Sequence, residues 1–296
     1  MKILLTGKNG QVGFELQRAL APLGEVVAVD MDACDLSQPD SIRALVRSLK
    51  PQIIVNPAAY TAVDKAESDT DTAYAVNGIA PGIFGEEAAK IGALVVHYST
   101  DYVFDGRKNG AYTEDDAPNP QSVYGKSKQQ GEASLAASGA QYLVLRTSWV
   151  FGAHGGNFAK TMLKLAAERE SLNVVADQWG APTSASLIAD VTAQVIAQYW
   201  NCQDKTRFPF GIYHLVAAGE TNWCDYARLV VASAKAAGKA LKLQAENIHP
   251  ITTEQYPVPA PRPANSRLNT EKLRQTFGVD LPDWQEGLAQ VLARVL

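Results

Sequence analysis

The sequence predicts an α/β protein: a Rossmann-like doubly wound parallel sheet with a smaller C-terminal α/β substrate-binding region. Three observations carry that expectation. A short apolar run, Lys2 to Thr6, ends in the glycine turn Gly7-Lys8-Asn9-Gly10-Gln11-Val12-Gly13, and an amphipathic segment follows it. Strand-like and helix-like segments then alternate five times. Polar residues collect where the strands give out, above all Ser99-Thr100-Asp101 and the pair Tyr124-x-x-x-Lys128. The expected division is residues 1-150 for a dinucleotide-binding domain and 151-296 for a mainly substrate-binding region, parts of which return to the first domain.

The elements follow in order. The first strand, glycine turn and helix (Phe14 to Leu23) form the context a dinucleotide fingerprint requires. Gly7, Gly10 and Gly13 allow a tight turn and close approach of a pyrophosphate, with Gln11 and Val12 between them at a helix N-terminus rich in free N–H groups. A second strand, Glu25 to Val29, ends at Asp30, where an acidic residue suits the ribose 2′-hydroxyl of NADH and repels a 2′-phosphate. Asp35 and Leu36 border the adenine side, although Asp35 is equally placed to cap a helix. Pro39 to Leu49 reads as a helix and Gln52 to Val55 as a strand. After it, Ala59, Tyr60 and Thr61 leave room for a cofactor backbone. Thr70 to Ile91 reads as a long helix carrying Asn77, interrupted near Pro81.

The fourth strand, Ala93 to Tyr98, is apolar and β-branched. Thr100 and Asp101 lie at its carboxyl end, where open α/β sheets bind ligands. Gly106 to Pro120 reads as a loop over the site. On the helix Ser122 to Ala137, Tyr124 and Lys128 share one face. An adjacent ammonium is expected to lower the tyrosine pKa and make it a general acid or base. A fifth strand, Gln141 to Leu145, leads to Trp149. Beyond it, Phe158 to Glu168, Ala185 to Tyr199, Asn269 to Phe277 and Asp283 to Leu296 read as helices, and Leu172 to Val175 and Gly211 to Leu215 as strands. The proline-rich stretch Tyr256 to Pro263 is excluded from helix and central strand. It carries Arg262, a candidate for binding phosphate.

Bulk properties narrow the function. Net charge is −4, from 27 basic and 31 acidic residues in a chain of 296, which gives no basic surface for nucleic acid or membrane. No stretch approaches a bilayer span. Three cysteines without paired spacing read as reduced thiols, which together with a short N-terminal apolar run places the protein in the cytoplasm. The four histidines show no metal-ligand spacing.

The glycine turn, the Ser-Thr strand end and Tyr124-x-x-x-Lys128 together resemble the extended short-chain dehydrogenase/reductase superfamily. Longer strings narrow the resemblance to the dTDP-4-dehydrorhamnose reductase family: His97-Tyr-Ser-Thr-Asp-Tyr-Val-Phe104, Arg146-Thr-Ser-Trp149, Asp177-Gln-Trp-Gly-Ala-Pro-Thr183 and Arg262-Pro-Ala-Asn-Ser-Arg-Leu268. The resemblance implies reduction of the C4 keto group of dTDP-4-dehydro-L-rhamnose with NADPH or NADH, in the biosynthesis of cell-surface polysaccharide such as lipopolysaccharide O-antigen. It implies that Tyr124 is the proton donor, that Lys128 binds the nicotinamide ribose, and that Tyr98 lines the cofactor. Thr100, Asp101 and Trp149 meet the substrate. Two alternatives share the fold: a non-catalytic nucleotide-binding regulatory subunit, and another NDP-sugar reductase or epimerase. A dehydratase is disfavoured, because Tyr102 stands where that relative has a second carboxylate.

The resemblance further implies a magnesium ion held by glutamates at a dimer contact. Glu15 is present, but Ser186 and Arg294 stand at the partner positions, and neither replaces a carboxylate around a hard dication. The expectation is therefore against the metal, and for a monomer or weak homodimer.

Overall fold

The computed structural model describes residues 1–296. The first half runs β1 (Lys2–Leu5), α1 (Gln11–Leu20), β2 (Glu25–Ala28), α2 (Pro39–Leu49), β3 (Ile53–Asn56), α3 (Val63–Ala66), α4 (Thr70–Tyr74), α5 (Ala80–Ile91), β4 (Leu94–Thr100), α6 (Val123–Ala137) and β5 (Gln141–Thr147). The second half runs β6 (Val150–Phe151), α7 (Phe158–Glu168), β7 (Leu172–Val175), β8 (Trp179–Gly180), β9 (Thr183–Ser184), α8 (Ala185–Asn201), β10 (Gly211–His214), β11 (Thr221–Asn222), α9 (Trp223–Ala236), β12 (Ile248–Ile251), α10 (Glu271–Phe277) and α11 (Trp284–Val295).

Six strands form one parallel sheet in the order β10-β5-β4-β3-β1-β2. Because side chains alternate across a strand, Ile3 and Leu5 face a core shared with Leu16 and Leu20 of α1 and Ile188 and Val195 of α8. Leu4 faces the opposite core, with Ile42 of α2 and Phe84 of α5. The chain passes from β1 outward to β2 and returns to β3 on the other side. The crevice at this switch point opens above the carboxyl ends of β1 and β3. The later chain returns to the sheet as β10 and to its face as α8. A third core, built from Phe151, α7, α9, α11 and the paired strands β7 and β12, sits beside the sheet.

The α/β architecture expected from the sequence is present, with local differences. The long helix from Thr70 is split by a π-turn, Ala75–Ile79, before α5, and Pro81, which has no N–H to donate, lies in the first turn of α5. Seven elements are absent from the sequence reading: the four-residue α3, the helix α9, the strand β12 and the two-residue strands β6, β8, β9 and β11. The apolar positions of α9 (Ala227, Val230, Val231, Ala234) do repeat at helical spacing. Pro250 hides β12. It is tolerated because β12 pairs only with β7, leaving its other edge free.

Candidate active site

The glycine turn is built for close approach. Gly7 has φ +60°, and a Cβ there would lie 2.9 Å from the Ala58 Cα. A Cβ on Gly13 would lie 2.0 Å from the Gly7 carbonyl oxygen. Gly10 begins α1 without a side-chain cap, so the N–H groups of the first turn are left for an anion. The Gln11 side chain bonds to the Val150 carbonyl and accepts from Asn157, tying the turn to the second half of the chain. Val12 packs on the sheet core. Asp30 lies beside the turn, accepting from the Asn9 and Met31 N–H groups. The cradle and its acidic neighbour fit a dinucleotide.

Opposite, the 59–61 loop is clamped by Asn77. Its Oδ1 accepts from the Tyr60 N–H at 2.9 Å, and its Nδ2 donates to the Tyr60 carbonyl and to Ser127 Oγ of α6. The π-turn supplies this placement, and α6 approaches closely because Gly131 faces the Asn77 carbonyl, where a Cβ would lie only 2.1 Å away. Ala59 is half-buried and Thr61 exposed at this rim.

Tyr124 occupies the first turn of α6. Ser122 caps the helix through the Gly125 N–H, and Glu67, one residue beyond α3, accepts from the Val123 N–H. Lys128 is buried. Its Nζ donates to the Tyr98 carbonyl at 2.6 Å and lies 3.2 Å from His97 Nε2. The expected lowering of the Tyr124 pKa is not what this arrangement produces. Desolvation pushes it up to about 12, a hydrogen bond with the Thr100 hydroxyl offsets only part of this, and Asp101 raises it further. Lys128 is itself drawn down to about 8 by burial, against the attraction of Glu132.

Thr100 Oγ1 donates to Asp101 Oδ1 at 3.0 Å and accepts from the Tyr102 N–H. Asp101 is buried, its Oδ2 has no hydrogen-bond partner, and burial raises its pKa to about 6. A carboxyl kept in this state is aimed at something outside the protein or costs stability. Tyr102 packs edge-on against Tyr124.

A cavity of about 840 Å³ adjoins this group, lined among others by Trp149, Trp223, Phe158, Asp64 and Arg262. Trp149 has φ +49°, a left-handed conformation that costs a bulky residue roughly 1–2 kcal/mol. It is held there by stacking on Trp223 at 3.7 Å between centroids and by contact with Gly180, where a Cβ would lie 2.9 Å from the indole. Arg262 reaches the cavity, but its Nη2 is engaged with Asp64 at 2.7 Å, while its buried Nη1 has no partner.

The structure therefore gathers the glycine turn, Asp30 and residues 59–61 on one side of the crevice, and Thr100, Asp101, Tyr124 and Lys128 on the other, with Trp149 and Arg262 over the cavity. Three of the expected side chains are engaged within the protein. Tyr98 turns its ring into the core and bonds Thr192, so only its carbonyl serves the site. Leu36 is a core residue. The Asp35 carboxylate accepts from Ser37 N–H and Oγ, a turn ahead of α2. Asp64, Glu67 and Trp223 escaped the sequence reading because α3 and α9 did. Glu15 does not fit a magnesium site: Arg294 donates to its Oε1 at 2.8 Å, Arg18 lies 3.7 Å from Oε2, and Ser186 bonds Ser184. A guanidinium already neutralises that carboxylate.

A tyrosine–lysine helix set against the carboxyl edge of a doubly wound parallel sheet, with a glycine cradle across the crevice, defines the extended short-chain dehydrogenase/reductase class. Residues 1–296 match the family described as the RmlD substrate binding domain. The dTDP-4-dehydrorhamnose reductase of Escherichia coli K12 is 52% identical over 99% of this chain and 97% of its own. The crystal structure of such a reductase from Clostridium acetobutylicum superposes with a TM-score of 0.90 at 37% identity, covering 99% of both chains. A third, from Bacillus anthracis in complex with NADP, gives 0.89 at 33% identity over 99% of this chain and 98% of that one. The chain belongs to the dTDP-4-dehydrorhamnose reductase family.

Proposed function

We propose that this protein reduces the C4 keto group of dTDP-4-dehydro-L-rhamnose to give dTDP-L-rhamnose. The observation that carries this reading is the convergence of Thr100, Tyr124 and Lys128 at one edge of the crevice in a chain that matches these reductases end to end. The dinucleotide bound in the glycine cradle, NADPH or NADH, would supply the hydride.

The chain's own residues do the rest. Tyr124 holds its proton firmly at neutral pH, which is what a donor to a developing alkoxide requires. It passes that proton to the C4 oxygen as negative charge grows there, a contribution of about 10²–10⁴-fold. The Thr100 hydroxyl, already directed by Asp101 and Tyr102, fixes the oxygen's position. Lys128 holds the nicotinamide ribose with its ammonium. The stacked Trp149 and Trp223 form an apolar wall, and Arg262 exchanges Asp64 for the pyrophosphate of the sugar nucleotide. Residues 1-150 bind the dinucleotide and 151-296 mainly bind substrate. Catalysis takes place in the cytoplasm, by a monomer or weak homodimer without magnesium.

Product analysis tests the reading. Incubation with NADPH deuterated at the transferred C4 position and the keto-sugar nucleotide should give one deoxyhexose carrying deuterium at its own C4. A product that keeps its keto group, or an inverted sugar formed without net oxidation of NADPH, would contradict it.

A further inference from the structure

His97 lies on β4 on the face turned toward α6, fully enclosed. Its Nε2 is 3.2 Å from Lys128 Nζ and its Nδ1 is 3.2 Å from Asn56 Nδ2. Asn56 Oδ1 in turn is 2.6 Å from Thr6 Oγ1. The line Thr6–Asn56–His97–Lys128 crosses from β1 through β3 and β4 to the helix, and every member is buried.

A neutral imidazole has one donor and one acceptor nitrogen, so the line has two self-consistent arrangements. With Lys128 as an ammonium, Nζ donates to Nε2. The ring proton is then on Nδ1, the Asn56 amide oxygen faces the ring, and the amide nitrogen donates to Thr6. With Lys128 as an amine, Nε2–H donates to Nζ, Nδ1 accepts from the Asn56 amide nitrogen, and Thr6 donates to the amide oxygen. The two differ by an amide turn and by one proton lost from the Lys128–His97 pair. The ring keeps one N–H throughout, and Lys128 also bonds to the Tyr98 carbonyl.

We propose that His97 is a positioning residue for catalysis that acts through Lys128: its neutral ring, bonded through Nδ1 to the Asn56 amide, holds the ammonium through Nε2. This rests on the role given to Lys128 above. The ionisable groups around Lys128 are Tyr124 and Glu132 on α6, His97 on β4, Asp101 beyond β4, and Arg146 on β5, which is locked to Glu132 at 2.6 Å. Burial keeps His97 from taking a charge of its own, and Lys128 opposes that charge as well. Lys128 sits near 8, so both arrangements are reached within the working range.

Two variants and one spectrum test this. His97→Leu removes the acceptor. The alkaline limb of kcat/KM should then move down by about one pH unit, with about tenfold less activity at pH 8.5. His97→Gln, whose amide oxygen reaches the Nε2 position, should restore the limb. An alkaline limb at the same pH in wild type and both variants overturns the proposal. Imidazole ¹⁵N shifts of the wild-type protein are read independently of any variant's folding. His97 should be the Nδ1–H tautomer at pH 6.5 and the Nε2–H tautomer at pH 10, and Nε2–H at both overturns the proposal. Lys128→Met separates the two levels. Full turnover in that variant removes the role of Lys128 and this inference with it. An inactive Lys128→Met beside an unmoved limb in the His97 variants removes this inference alone.

Discussion

Lys128 donates to the backbone carbonyl of Tyr98 at 2.6 Å, so the ammonium is fixed against β4 and is not a direct partner of the Tyr124 phenol one turn away. Burial keeps the proton on Tyr124 well beyond neutral pH, which suits a donor in the reductive direction. Tyr124→Phe should lower kcat by about 10²–10⁴-fold while NADPH affinity, measured by fluorescence titration, stays within about twofold of wild type. Unchanged kcat would remove Tyr124 from the role of acid.

Asp30 is placed by hydrogen bonds from Asn9 and Met31 beside the cofactor cradle. Its carboxylate accepts a ribose 2′-hydroxyl and repels a 2′-phosphate. NADH should therefore be used, and Asp30→Ser should raise the NADPH-to-NADH ratio of kcat/KM by about tenfold. A ratio that does not move would place the adenosine ribose elsewhere.

Asp64 binds both the Arg262 guanidinium and the Ala260 N–H, and so fastens the proline-rich loop beside the cavity. A charged hydrogen bond to phosphate is worth roughly 1.5–3 kcal/mol. Arg262→Ala should raise KM for the sugar nucleotide by about 10–100-fold with the KM for NADPH unaffected. Equal effects on both would show damage to the fold instead of a lost phosphate contact.

Asp101 links stability to pH. Its folded value, about 6, lies above the ordinary carboxyl value of 3.8. The native state therefore binds the proton more tightly than the unfolded chain, and that stabilisation is present below pH 4 and lost as pH rises through 6. Asp101→Asn should raise Tm by several degrees at pH 7.5, on the order of 3 kcal/mol, and the gain should shrink toward pH 4. Turnover should fall in the same variant. A gain that does not depend on pH would place its cause outside ionisation.

Much of this was legible in the chain. The glycine turn needs Gly7 at positive φ and Gly13 against a carbonyl, and those constraints are written as glycines at fixed spacing. The parallel strands are continuous apolar runs because both faces are buried. The inward turn of the Tyr98 ring was not legible, since a strand's alternation tells which residues share a face but not which face meets the ligand, and Leu36 lies in the turn ahead of α2, where no periodicity tells which way a side chain points. The direction of the Tyr124 shift was not legible either: spacing puts Lys128 on the same side of the helix, but burial of the phenol, which depends on what packs over α6, sets the direction. Short α3, with Asp64 and Glu67, has too few residues for a periodic signal.

The most direct measurement is absorbance at the reduced-nicotinamide band, with dTDP-4-dehydro-L-rhamnose generated in place from its precursor. The account predicts oxidation of one NADPH or NADH per sugar, dependent on that substrate. A folded protein that binds the dinucleotide and oxidises none of it with this substrate would contradict the reductase.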